Sequence, residues 1–146
     1  MTLYHLAFLA RESENGFRDS FFIGVFPSRE EAEKTAQMYL AAVPGFREDR
    51  CSYTIEAKEV RGGPVLEDTV YWIQGWNWNE AQDEADIVES GDYARLADAE
   101  AALKDMKRWL DRAEWTLNRS VIGRCDWREG YSREENEGPV GKKTLF

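Results

Sequence analysis

Few residues in this chain could do chemistry, and their types exclude more than they suggest. There is one histidine, His5. That rules out His-rich metal centres and limits imidazole acid–base work to a single site. His5 sits early in an apolar run, where a packed or edge residue is expected rather than a catalyst. Cys51 and Cys125 form no Cys-x-x-Cys pair and are too few for a disulfide scaffold. Two reduced thiols are expected, with a single bridge between the halves as the alternative. No phosphate loop, dinucleotide fingerprint, His-Glu-x-x-His or nucleophile elbow occurs, and Gly62-Gly63 has no helix behind it. We therefore expect no catalytic residue, no metal, no cofactor and no enzymatic activity.

The tryptophans carry more. Trp72, Trp76 and Trp78 lie two or four residues apart, so on a strand they project from one face. The acidic stretch from Asn79 to Asp86 follows directly. Its carboxylates suit a hard cation, but it lacks the central glycine and alternating ligands of an EF-hand loop. A solvated hairpin tip is the plainer reading. For the tryptophans two readings stay open: a core of large residues between two units, or an aromatic anchor for a partner. In the second, Trp76 and Trp78 make the contact while Glu80, Asp83, Glu84 and Asp86 form the rim. Such a patch suits a basic protein target.

Charge supports the same direction. The 28 acidic residues exceed the 19 basic ones, for a net charge of −9. That balance repels nucleic acid and anionic lipid, so neither is expected as a direct partner. No apolar run reaches the roughly 20 residues that cross a bilayer. Met1-Thr2-Leu3-Tyr4-His5 lacks the pattern of a secretory signal, and a cytoplasmic location is expected. With 146 residues, 42% of them hydrophobic, the chain is long enough to bury a core.

The elements that must position these residues come in two matching sets. At an offset of 67, Tyr4 falls on Tyr71, Asp19 on Asp86, Gly24 on Gly91 and Ala32-Glu33 on Ala99-Glu100. Leu6 on Ile73, Val43 on Leu110 and Ile55 on Ile122 support the register. A tandem duplication is expected. In the first unit, strands are predicted over Tyr4–Arg11 and Phe21–Phe26. Ser28 with Glu31 forms a capping box that opens a helix over Arg29–Val43, and Pro44-Gly45 ends it. The alternation of Tyr53, Ile55 and Ala57 with polar residues predicts a strand to Val60. The second unit repeats the plan with strands over Val70–Trp78, Asp86–Tyr93 and Trp115–Trp127, and a helix over Leu96–Arg112. There Arg95 replaces the capping serine.

The fold class expected is α/β of the α+β kind, a doubled strand–strand–helix–strand unit with a mainly antiparallel sheet and two helices. Residues 1–60 form the first unit, 61–69 a linker, 70–127 the second unit and 128–146 a polar tail. The third strand of each unit should return beside the first, with the helix on one face. The first strand is apolar on both faces, with Tyr4, Leu6 and Phe8 on one and Ala7 and Leu9 on the other. Something must cover the second face. Sheet-to-sheet stacking of the units, a homodimer or a partner would do so.

Residues Leu3 to Val60 resemble a widespread class of small bacterial proteins without an established activity. The likeness lies in Ile23-Gly24-Val25-Phe26-Pro27-Ser28-Arg29-Glu30-Glu31-Ala32-Glu33, in Pro44-Gly45-Phe46 and in Tyr53-Thr54-Ile55. The whole chain is similar in style to bacterial immunity proteins and to phage inhibitors of host defence. The expected function is a non-enzymatic inhibitor, foremost an immunity protein that neutralises a basic toxin such as a nuclease. The alternative is a phage-encoded, anti-CRISPR-like inhibitor that mimics nucleic acid with its acids. A small-ligand sensing module is the reading from another class.

Overall fold

The computed structural model describes residues 1–10, 19–79 and 84–132. Its first half contains β1 (Thr2–Leu9), β2 (Ser20–Phe26), helix α1 (Arg29–Ala42), a one-turn helix α2 (Phe46–Asp49) and β3 (Ser52–Arg61). The second contains β4 (Thr69–Asn79), β5 (Glu84–Glu89), β6 (Asp92–Tyr93), α3 (Leu96–Trp109) and β7 (Glu114–Val121). The class is α+β. Among the described residues, no helix is long and apolar enough to cross a membrane.

Local chemistry accounts for α1. The Ser28 hydroxyl accepts the Glu31 N–H at 3.1 Å and so opens the helix. Ala32, Ala36 and Tyr39 recur at helical spacing and are buried against the sheet. At α3 the capping position is Arg95, which makes no side-chain cap. Only Ala99 of that helix is fully buried, and Leu96, expected in its apolar stripe, is exposed.

The strands form one curled, seven-stranded sheet in the order β2-β1-β3-β6-β4-β5, with β7 on the other side of β4. All pairs are antiparallel except the joint between the halves, where Val60 and Arg61 run parallel to Asp92 and Tyr93. The chain leaving β7 returns to the far edge of the sheet. The Gly123 N–H donates to the Val25 carbonyl at 2.8 Å, and the Asp126 N–H to Ile23 at 2.7 Å. The curl therefore closes on itself, and the second face of β1 is covered by the other half of the same chain. Leu6 and Phe8 pack outward beneath α1, whereas Leu3 packs inward with Val25 and Val70.

The two halves share a pairing scheme. Adding 67 to the pairs Tyr4–Phe26, Ala7–Phe22 and Leu9–Ser20 yields Tyr71–Tyr93, Gln74–Glu89 and Trp76–Ile87, all of them observed. The same irregularity therefore recurs, after Leu6 in one half and after Ile73 in the other. It splits the strand expected over Asp86–Tyr93 into β5 and β6. The helices and their C-terminal bonds, Val43 to Tyr39 and Leu110 to Met106, keep this offset too. The third strand does not. Leu6 faces Ile55, but Ile73 faces Leu117, so Ile55 corresponds to Leu117 rather than Ile122. The first half spends the extra residues on α2, for which the second has no counterpart.

The segment expected as a polar tail is folded at least to Ser132. Tyr131 is 7% exposed, stacks on Phe21 at 4.5 Å between ring centres and meets Phe46 at 5.0 Å. Its hydroxyl donates to Asp49 Oδ2 at 2.8 Å, with Cys51 Sγ at 3.1 Å. Trp127 meets Phe21 edge-on at 4.9 Å. Gly130 (φ 80°) lets the chain pass against the Pro44 carbonyl, where a side chain would clash. The second half thus completes the core of the first.

Cys51 is buried, and burial pushes the half-buried Cys125 thiol above its usual value. Native protein at neutral pH should react slowly with a thiol reagent, Cys125 before Cys51. Rapid modification of Cys51 in the folded state would contradict its burial.

Candidate functional site

Strand direction decides where the functional side chains meet. β1 is antiparallel to β3, β3 parallel to β6, and β6 antiparallel to β4. The β1–β2 and β4–β5 hairpins therefore project from the same end of the closed sheet. Along β4, alternate residues face inward, and the three tryptophans share that face. Their depths differ. Trp72 is 4% exposed, Trp76 37% and Trp78 46%. Trp72 belongs to the core between the halves, and the other two stand at its open end.

Trp76 is flanked by Ile87 of β5 and Glu114 of β7. Trp78 lies beyond the last β7 partner and faces Ala85 alone. Ile87 is 54% exposed, so Trp76, Trp78 and Ile87 form a contiguous apolar face on a projecting hairpin. The acids sort differently from the expected rim. Asp86 pairs with Asn77, which puts it on the opposite face, where Arg112 holds it at 3.3 Å. Glu80 and Asp83 lie outside the described residues, and so does the side chain of Glu84. Among the described residues of β5 and β7, the acids on the tryptophan face are Glu114, opposite Trp76, and Glu89, opposite Gln74.

Two aspects of the hairpin escaped sequence reasoning. Glu114 joins the face only through β7 pairing, which no local pattern announces. Ile87 went unmarked as well, although its place after Asp86 in a predicted strand, with no helix stripe to claim it, was an available signal. Trp109, at the end of α3, is 75% exposed with Arg108 over its ring at 5.9 Å. It falls outside the stripe of Leu96, Ala99, Leu103, Met106 and Leu110, and that is the signal that marks it as outward. Asn77 anchors the hairpin base, since its amide donates to the Asp111 carbonyl and its oxygen accepts the Ala113 N–H.

The lone histidine is packed. His5 is 6% exposed, and its Nε2 lies 2.9 Å from both oxygens of Asp92, which is fully buried. The Trp72 ring meets the imidazole edge-on at 5.1 Å, and Phe22 lies at 5.6 Å. His5 and Trp72 lie 67 residues apart, the offset at which strand pairs of the two halves match, and their rings are in contact. Trp72 Nε1 donates to Ser120 Oγ at 3.1 Å. Lys58, also buried, pairs with Glu56 at 2.7 Å and reaches Glu89 at 3.6 Å.

This polar layer pins β1 to β6 across the joint. Breaking it on one side should hurt more than removing both partners. Asp92→Leu alone is expected to cost about 3–5 kcal/mol, whereas adding His5→Leu should recover much of that loss. Urea unfolding of the two single variants and the double checks the pattern. Additive losses would mean the pair does not act as a unit.

Among the described residues, no group of three or more His, Cys, Asp or Glu side chains is placed to hold a metal ion. A shallow depression of about 100 Å³ lies between β2 and β7, bordered by Phe22, Arg119, Ser120 and Arg124. The projecting hairpin remains the surface with the most distinctive chemistry. Comparison with family models, curated proteins and solved structures matches this chain to none of them.

Proposed function

We propose that this chain is a non-enzymatic, protein-binding inhibitor, an immunity protein that occupies a basic toxin such as a nuclease in the cytoplasm. The observation that carries this reading is the exposure of Trp76 and Trp78, 37% and 46%, on one face of the β4–β5 hairpin. Large aromatic residues are costly to leave in water, and at interfaces they supply most of the binding energy. The net charge of −9 would steer a basic partner towards that face. The same reading takes the shared pairing of the two halves as descent from one duplicated unit. In the second copy, Trp76 stands where the first has Leu9.

Immobilised protein tests it. Wild type and a Trp76→Ala/Trp78→Ala variant would be challenged at low salt with purified basic nucleases and with the product of the adjacent gene. A basic protein bound by wild type alone, and inactivated in proportion to the amount bound, supports the reading. Binding that ignores the double substitution would remove the hairpin from the function.

A further inference from the structure

We propose that the depression between β2 and β7 binds a phosphate group that carries a proton, either the free ion or the end of a small phosphomonoester. The site is separate from the hairpin and does not depend on partner binding.

The seam of the curled sheet makes the place. β2 and β7 are not paired with each other as strands. The chain leaving β7 joins them, through the bonds from Gly123 to Val25 and from Asp126 to Ile23. Gly24 carries no side chain, and the Arg124 carbonyl lies where one would stand. Beside this crossing the depression is bordered by Phe22 on the β2 side and by Arg119, Ser120, Arg124 and Asp126 on the other.

Its chemistry is an excess of unmatched donors. The chain holds 28 acidic residues against 19 basic ones, so a cation without a partner is unexpected. Yet among the described residues the side chains of Arg119 and Arg124 make no ion pair and no hydrogen bond. The Ser120 hydroxyl accepts the Trp72 Nε1 proton at 3.1 Å, which leaves its own proton to donate. Asn118, two residues earlier on the same face of β7, has a buried Nδ2 without an acceptor. Two guanidiniums and a hydroxyl at one depression suit a ligand made of acceptors, and arginine matches phosphate oxygens in geometry as well as charge.

Asp126 sets the selection. Its carboxylate is the one acid at the border, and it disfavours an anion that presents only acceptors. A phosphate with a remaining O–H can donate that proton to Asp126 while its other oxygens accept from the arginines. Sulfate has no such proton at neutral pH, and neither has the phosphodiester of a nucleic acid.

Titration of the isotope-labelled full chain at pH 6 and constant ionic strength tests this, with inorganic phosphate, glycerol phosphate and sulfate as probes. A phosphomonoester is about half protonated there. Phosphate should give saturable shifts at the amides from Ser120 to Arg124 and at the Trp72 indole N–H. Sulfate should bind about tenfold more weakly or worse, as expected for one charge-assisted hydrogen bond lost. Arg119→Gln and Arg124→Gln should each weaken phosphate binding by about tenfold on the same grounds. Asp126→Asn keeps the backbone bonds of that residue and should bring sulfate level with phosphate. The relative affinity of the ion and the ester distinguishes the two sources. Sulfate binding to wild type as tightly as phosphate overturns the proposal. So do shifts that neither arginine substitution weakens, and so does the absence of a saturable shift.

Discussion

Tyr131→Ala should destabilise the protein by about 3–5 kcal/mol, the usual cost of deleting a buried aromatic ring. Tyr131 loses its stack on Phe21 and its edge contact with Phe46, and its hydroxyl leaves Asp49 and Cys51. Tyr131→Phe keeps the ring and removes one hydrogen bond to a buried carboxylate, so about 1–3 kcal/mol is expected. Urea unfolding of the two variants separates packing from hydrogen bonding. A loss below about 1 kcal/mol for the alanine variant would show that residues 127–132 do not hold the first half's core.

Alkaline pH tests the same contacts. Burial raises the Tyr131 phenol far above its ordinary value, and the Tyr39 phenol likewise, with Cys125 adding to the rise. The Tyr39 hydroxyl donates to the Asp126 carbonyl at 2.7 Å. An acid raised on folding favours the folded state below its unfolded value. Stability should therefore hold until about pH 10 and fall as pH rises beyond it, where the unfolded chain ionises and the folded one resists. Tyr131→Phe should flatten that fall.

The second large effect concerns binding. Trp76→Ala and Trp78→Ala should each cost about 2 kcal/mol or more in affinity for the basic partner, mostly through a faster off-rate. Each should cost less stability than the loss of a fully buried ring, because both are partly in water. Trp72→Ala should do the reverse. Its ring is buried against His5 and Phe22, so about 3–5 kcal/mol of stability is at stake. Neutralising Glu114 should slow association at low ionic strength and change little at high salt. Kinetics of binding beside urea unfolding, for all three tryptophans, is the decisive set. If Trp76→Ala unfolds the protein as Trp72→Ala does, the anchor is a core residue instead.

Much of this was legible in the sequence because its causes are local. Ser28, the Ala32–Ala36–Tyr39 stripe and Pro44-Gly45 delimit α1 through capping, helical periodicity and the limits of backbone geometry. The spacing of Trp72, Trp76 and Trp78 put them on one face because strand alternation needs no tertiary information. Which of the three is buried was decided elsewhere. Trp72 meets His5 only because the sheet curls and closes, and that closure rests on Gly123 and Asp126 reaching Val25 and Ile23, about a hundred residues earlier in the chain. Asp86 looked like part of the tryptophan rim because it is close in sequence, but strand register turned it to the other face. Tyr131 looked like tail because its neighbours Arg128, Glu129 and Ser132 are polar, and only packing against Phe21 and Phe46 reveals it as core. Periodicity and caps act within a few residues and can be read from them. Register, closure and burial arise from contacts between distant segments, so the tertiary structure alone decided which aromatic residues became core and which were left facing water.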